Sequence, residues 1–329
     1  MSQPLTIVMY HYVRPLRDSR YPSLKALDVQ DFAGQLDYLQ QHYCVVRMED
    51  VIASAKGEAS LPENAALLTF DDGYRDHYDH VFPLLVERGL QGSFFPPASA
   101  IRERRMLDVN KIHFVLASVD DHAPLVDAVF RFLDTYRERY GLESNETYYQ
   151  RHCKESRYDG PEVTFIKRLL QKGLPEALRA ELVDALFHRF VTDDESAFAD
   201  ELYMSVEELR KLHEGGMYLG SHGDRHEWLN TLPGEAQQRE IDASLSFLAE
   251  LGIQSDDWVM CYPYGGYNDS LLAVLRDRGC ALGLTVEVGV ADLTKNDSLL
   301  LPRLDTNDLP IDGEALPNNG TCSAITTYS

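Results

Sequence analysis

The 329-residue sequence predicts a parallel α/β fold, a barrel or a doubly wound sheet, interrupted by a helical insertion. Three observations carry this expectation. Short apolar runs alternate with helix-like segments over residues 5–100 and again over 205–310, and strands that alternate with helices pair in parallel. Between 106 and 204 helical periodicity alone persists. Each conspicuous polar cluster stands directly after an apolar run, as at the carboxyl ends of parallel strands.

The elements follow in order. Leu5 to Tyr10 is a first strand. Asp28 opens a helix whose Phe32, Leu36 and Leu39 make one apolar face. Cys44-Val45-Val46 and Ala65 to Phe70 are the next strands, His80 to Leu90 reads as helical despite Pro83, and Gly92 to Pro96 is another strand. The block 106–204 carries helical patterns at Leu125–Tyr140 and Pro175–Phe190, separated by the polar stretch Glu143–Gly160. It is expected to act as a lid, a specificity cap or a surface for homo-oligomer formation. Ser205-Val206-Glu207-Glu208 is a capping box that starts a fresh helix, and Gly215-Gly216 ends it. Met217–Gly220, Trp258–Cys261, Ala281–Val286 and Leu299–Arg303 complete the strands, with a helix after Pro233 placing Ile241, Leu245 and Leu248 on one face. The expected organisation is therefore 1–105 and 205–310 as two parts of one domain, 106–204 as the insertion, and 311–329 as a polar tail, loosely ordered or touching a partner. No internal repeat is present.

Composition narrows the function. Apolar content of 44% and charged content of 26% are those of a globular chain. A formal charge of −22 argues against nucleic acid or an anionic membrane surface, since both demand a basic face. No run is long enough for membrane insertion. The start, Met1-Ser2-Gln3-Pro4, has no basic and apolar leader. The five cysteines, Cys44, Cys153, Cys261, Cys280 and Cys322, are scattered without a C-x-x-C pair. Both features lead to the expectation of a reduced, cytoplasmic protein.

The chemistry concentrates at three strand ends. The run Ala65–Phe70 closes on Asp71-Asp72-Gly73. Two adjacent acids at the end of a buried strand repel each other and are costly to desolvate unless something binds them. His222 and His226 lie four residues apart, a spacing that puts both imidazoles on one side of a helical turn. Two histidines and one carboxylate would hold Zn²⁺ with positions open for water and substrate; Co²⁺ and Ni²⁺ suit the same donors. Asp72 fits the ligand role and Asp71 that of general base. The third cluster is Tyr262-Pro263-Tyr264-Gly265.

Thr69–Gly73, His222–His226 and Pro263-Tyr264-Gly265, in this order, resemble the first three motifs of the polysaccharide deacetylases, carbohydrate esterase family 4. The resemblance covers 5–100 and 205–310. It implies a distorted (β/α)-barrel of parallel strands with a metal-dependent amidohydrolase site: Asp71 as catalytic base, Asp72, His222 and His226 as metal ligands, and Tyr264, after Pro263, as backbone donor to the oxyanion. Two departures follow. Many members have arginine where this chain has Cys261, and there it orients the catalytic aspartate; Arg303 is the candidate for that task here. Many members also carry a late histidine as general acid, but none follows His226. His11, in Met9-Tyr10-His11-Tyr12, resembles the early histidine of the circularly permuted branch typified by poly-N-acetylglucosamine deacetylases, and is the expected acid.

Of the remaining residues, His77 and His80 are expected on a solvated helix face, and His113 could reach the site from the insertion. Tyr74, Trp228, Tyr262 and Tyr267 could stack on a sugar, and Asp305 reads as a loop cap. The sequence thus leads to a cytoplasmic, Zn²⁺-dependent N-deacetylase with a carbohydrate substrate, an acetamido sugar in a nucleotide- or lipid-linked precursor. The alternatives are an N-deformylase or cyclic-amide hydrolase using the same site, and a non-catalytic sugar-binding protein.

Overall fold

A computed structural model describes residues 4–17, 19–156, 159–254, 256–318 and 321. The chain divides into two compact units: Met1–Pro15 with Ala26–Arg105 and Ala199–Ser329, and Leu16–Lys25 with Met106–Phe198.

The first unit holds the sheet. Its strands are β1 (Pro4–Tyr10), β2 (Cys44–Val45), β3 (Ala65–Asp71), β4 (Gly92–Phe95), β5 (Tyr218–Leu219), β6 (Val259–Cys261), β7 (Leu282–Val288), β8 (Ala291–Asp292) and β9 (Leu301–Asp305). Seven of them follow the order β5-β4-β3-β1-β9-β7-β6, each pair of neighbours parallel. β2 joins β3 in parallel and β8 lies antiparallel to β1. Just past β5, Ser221 forms a parallel bridge with Met260 of β6, so the two ends of the path meet. This is the distorted (β/α)-barrel that the sequence led us to expect.

Burial on both faces explains the continuous apolar runs. All seven residues of β3 are buried. Alternate residues serve opposite faces: Val259 and Cys261 join Leu5, Ile7, Leu67 and Leu301 in one core cluster. Met260 and Tyr262 join Ile241, Leu271 and Leu275 of two flanking helices in another. Each such side chain contributes about 1.5–3 kcal/mol relative to exposure.

Several boundaries differ from expectation for local reasons. The last strand starts at Leu301 because Asp297 turns the chain before it, accepting from the N–H of Leu299 through its side chain and from that of Leu300 through its carbonyl. The segment expected as one helix from His80 is a π-helical turn, His77–Val81, followed by the helix Phe82–Arg88. Pro83 sits in that helix's first turn, where no N–H is missed, and Gly89 ends it in the left-handed region at φ 65°.

The second unit is helical, with Asp108–Ala117, Ala123–Tyr140, Asn145–His152, Pro161–Arg168 and Glu176–Phe190. The polar stretch expected to be irregular contains Asn145–His152, started by Ser144, whose hydroxyl accepts from the N–H of Thr147 at 3.1 Å. Lys111, almost fully buried, is balanced by Asp184 and Glu195 at 2.5 and 2.9 Å.

The described part of the tail is not loose. His42 of the helix Val29–His42 hydrogen-bonds the Ala315 carbonyl, and buried Thr321 bonds the Tyr38 hydroxyl at 2.8 Å. Cys44, Cys153, Cys261 and Cys280 are free thiols; Cys322 lies outside the described residues. Among the described residues no helix is long and apolar enough to cross a membrane.

Candidate active site

The carboxyl ends of β1, β3, β5 and β6 bring the three polar clusters together, and β9 adds a fourth element from within its span. Asp71 is the last residue of β3. Asp72 follows in the left-handed region at φ 70° and Gly73 at φ 69°. The strand therefore reverses at once and the two carboxylates diverge. Gly73 admits no side chain, since a Cβ would lie 2.8 Å from that of Pro96.

Asp71 is clamped by Arg303. The guanidinium donates from Nη1 to Oδ1 at 3.0 Å and from Nη2 to Oδ2 at 2.8 Å. Its remaining donors reach the Thr285 carbonyl and the Thr69 hydroxyl. Both partners are buried, and the planar fork suits two carboxylate oxygens at once. Burial alone would raise the Asp71 carboxyl, but Arg303, with His11 and His222 behind it, pulls it down to about 2. Arg303 lies within β9. On the open side of Asp71, His11 places Nε2 3.8 Å from Oδ2 with its side chain 42% exposed.

Asp72 faces the imidazole pair. Its Oδ1 is 3.3 Å from Nε2 of both His222 and His226. That buried oxygen has no hydrogen bond among the described residues. Against burial, the two imidazoles hold the Asp72 carboxyl well below its ordinary range. The His222 Nδ1 lies 2.7 Å from the Cys261 carbonyl. A carbonyl only accepts, so Nδ1 carries a proton and Nε2 is the nitrogen that faces Asp72.

The histidines are not on a helical turn, contrary to expectation. Gly223 at φ 73° and His226 at φ 57° reverse an irregular loop. Its N–H groups at Asp224 and Arg225 donate to the Glu240 carboxylate, both at 3.0 Å, while its carbonyls at Gly223 and Asp224 accept from Ala98 and Ser99. Glu240 is a supporting residue that sequence reading missed; its helix also buries Gln237 and Ser244, so no pattern in the sequence marks it.

Two sets of three buried donors converge here: Asp72, His222 and His226, and Asp71, His222 and Cys261, each within 4.8 Å. The first fits a divalent ion. It brings a buried carboxylate oxygen and the Nε2 atoms of two imidazoles to one point, and two nitrogens with one oxygen suit Zn²⁺. The second does not fit. Both Asp71 oxygens are engaged by Arg303, and burial pushes the Cys261 thiol up, so it keeps its proton.

Of the expected aromatics, Trp228 lies at the site, beside Tyr264, the expected backbone donor. Their rings stack at 4.5 Å and 5°, and Tyr264 also meets the His226 ring edge-on at 4.6 Å. Tyr264, after buried Pro263, holds φ 56°. Tyr74 and Tyr262 are corrections: both are fully buried, so neither presents a face to a sugar. Tyr74 donates to Oδ2 of Asp72 at 2.5 Å, and Tyr262 to the Leu299 carbonyl. Tyr267 instead bonds Glu287, and Asp305 caps the turn Thr306–Asp308. His77 is also corrected. It is fully buried, its Nε2 lies 2.7 Å from the His11 carbonyl, and burial lowers it to about 4, so a neutral ring donates there. His80 is half-buried. His113 belongs to the helical unit.

A family model for polysaccharide deacetylase matches residues 58–124 and 176–283. The curated protein YxkH of Bacillus subtilis (strain 168) is 25% identical over 104 residues, 31% of this chain and 35% of that one. The chain thus spans about a third of the length of this relative. Among solved structures, the Streptococcus pyogenes deacetylase PplD in complex with acetate superposes with a TM-score of 0.60 at 15% identity, covering 99% of this chain and 100% of that one. IcaB from Ammonifex degensii gives 0.56 at 20% identity over 93% and 94% of the two chains. These likenesses are of fold. The model's match spans more than half of the sequence and includes Asp71, Asp72, His222, His226 and Tyr264, and the chain belongs to the polysaccharide deacetylase family.

Proposed function

We propose that this protein is a metal-dependent carbohydrate N-deacetylase that hydrolyses the acetamide of an acetamido sugar. The observation that carries the reading is the division of labour in the Asp71-Asp72 pair. One carboxylate is locked by Arg303 beside an exposed imidazole; the other turns a hydrogen-bond-free oxygen toward two histidines.

Asp72, His222 and His226 would hold the ion. A divalent ion there would polarise the acyl oxygen and acidify the attacking water, which a carboxylate as weakly basic as Asp71 needs. Asp71 takes the proton of that water. Arg303 keeps the carboxylate ionised and fixes its orientation, so the lone pairs left over point one way. His11, partly open to solvent, donates a proton to the nitrogen as the C–N bond breaks; an amine cannot leave without it. The main-chain N–H of Tyr264 supports the oxyanion, where one such donor is worth about 3 kcal/mol. The stacked Trp228 and Tyr264 rings offer an apolar wall to the sugar.

The test is zinc content together with a mass-spectrometric screen of acetamido and formamido sugars, free, nucleotide-linked and polymeric. The expected result is about one Zn²⁺ per chain and acetate release that a chelator abolishes. Asp71→Asn should retain zinc and lose about 10²–10⁴-fold in rate. Formate in place of acetate would move the reading to a deformylase, and tight glycan binding without product would overturn catalysis altogether.

A further inference from the structure

The turn after Gly73 carries a residue that neither base, acid nor ligand role explains. Tyr74 is fully buried, and its hydroxyl donates to Oδ2 of Asp72 at 2.5 Å. That leaves Oδ1 as the oxygen that faces His222 and His226. Two rings lie nearly parallel to it. Tyr12 stacks on it at 4.1 Å and 17°, and Tyr203 lies beyond at 6.3 Å and 11°. The main chain is held as well: Tyr74 bridges Tyr203 antiparallel, and the Met204 N–H donates to the Gly73 carbonyl. A hydroxyl fixed this firmly constrains the carboxylate it touches.

We propose that Tyr74 is a positioning residue that makes Asp72 a one-oxygen ligand. The inference rests on the metal-dependent reading and deepens it. With Oδ2 engaged, Asp72 can offer an ion only Oδ1. A carboxylate free to swing would bring both oxygens and fill a position that water and substrate require. The surrounding stack sets the hydroxyl, the hydroxyl sets the carboxylate, and the carboxylate sets the number of donors. Tyr12 directly follows His11, so the same stack also ties the end of β1 to Asp72.

The experiment uses the full chain with Zn²⁺ in competition with a chromogenic chelator, and Co²⁺ as a spectroscopic probe. Tyr74→Phe keeps the ring and removes only the hydroxyl. The expected result is a zinc dissociation constant raised about 10- to 100-fold, and a changed visible spectrum of the Co²⁺ form as Oδ2 joins the donors. A residue that merely filled the core would leave that spectrum alone. Tyr12→Leu, which removes the stacked ring and keeps the hydroxyl, should shift the constant in the same direction by less, and serves if Tyr74→Phe fails to fold. Wild-type protein that binds zinc, with both variants binding within about twofold of it and the Co²⁺ spectrum unchanged, overturns this inference alone. Wild-type protein that binds no zinc, or Asp72→Ala that binds it undiminished, overturns the reading beneath it.

Discussion

Arg303→Met is the most informative single change. It removes the cation that faces Asp71 and keeps much of the side-chain volume. Asp71 and Arg303 are both buried, 2% and 0% exposed in their side chains, so water cannot replace the lost partner. The Asp71 carboxyl stands at about 2 in the folded protein against an ordinary 3.8. At about 1.4 kcal/mol for each unit, that is about 2–3 kcal/mol of stability at neutral pH. Breaking a buried pair from one side costs about 3–5 kcal/mol, because the orphaned charge remains. The two routes agree on about 3 kcal/mol for the metal-free protein. The sign with pH is fixed. In the wild type the folded value is depressed, so the contribution is complete above about pH 4 and lost between about 4 and 2. In the variant burial acts unopposed by the guanidinium and favours the neutral acid. Its penalty is then present at pH 7 and shrinks toward pH 4. Urea unfolding at both pH values, in the presence of a chelator, measures this. A second variant, Arg303→Met with Asp71→Leu, removes both charges and should recover most of the loss. A deficit under about 1 kcal/mol at pH 7, or one that grows on acidification, would refute the clamp.

Two further changes probe the rest of the site. His11→Gln should lower the rate on acetamides by about 10²–10⁴-fold but act weakly on an acetate ester with a good leaving group; equal losses on both would remove His11 as the acid. Glu240→Ala strips the acceptor from the N–H groups of Asp224 and Arg225, and thermal unfolding should register about 1–3 kcal/mol, with weaker zinc binding; stability kept in full would mean that the histidine loop holds itself.

What the chain discloses before folding depends on distance along it. The strand runs were visible because burial on both faces imposes apolar residues at every position, as in β3. Asp71 and Asp72 stood out because acids have no place at the end of such a run. The grouping of Asp72 with His222 and His226 was legible as a set of residue types, but not its backbone: left-handed φ at Asp72, His226 and Tyr264 leaves no periodic signature. Tyr74 departs from expectation for a related reason. Beside a motif an aromatic suggests a substrate, and only the fold shows its hydroxyl turned inward onto Asp72. His77 misled in the same way, since helical spacing after Gly73 is silent about a π-helical turn that buries it.

The bridge between Ser221 and Met260 has a mechanical meaning. It is the thinnest seam in the ring of strands: β5 has only two residues, and past it the pairing to β6 is a single bridge. The next residue is His222, whose ring is tied to the Cys261 carbonyl on the far side of that seam and faces Asp72 from β3. Whatever draws His222 and Asp72 together therefore also fastens the barrel at its weakest joint. The hoop and its buckle share a residue, so a change that loosens His222 loosens the seam and the candidate metal site together.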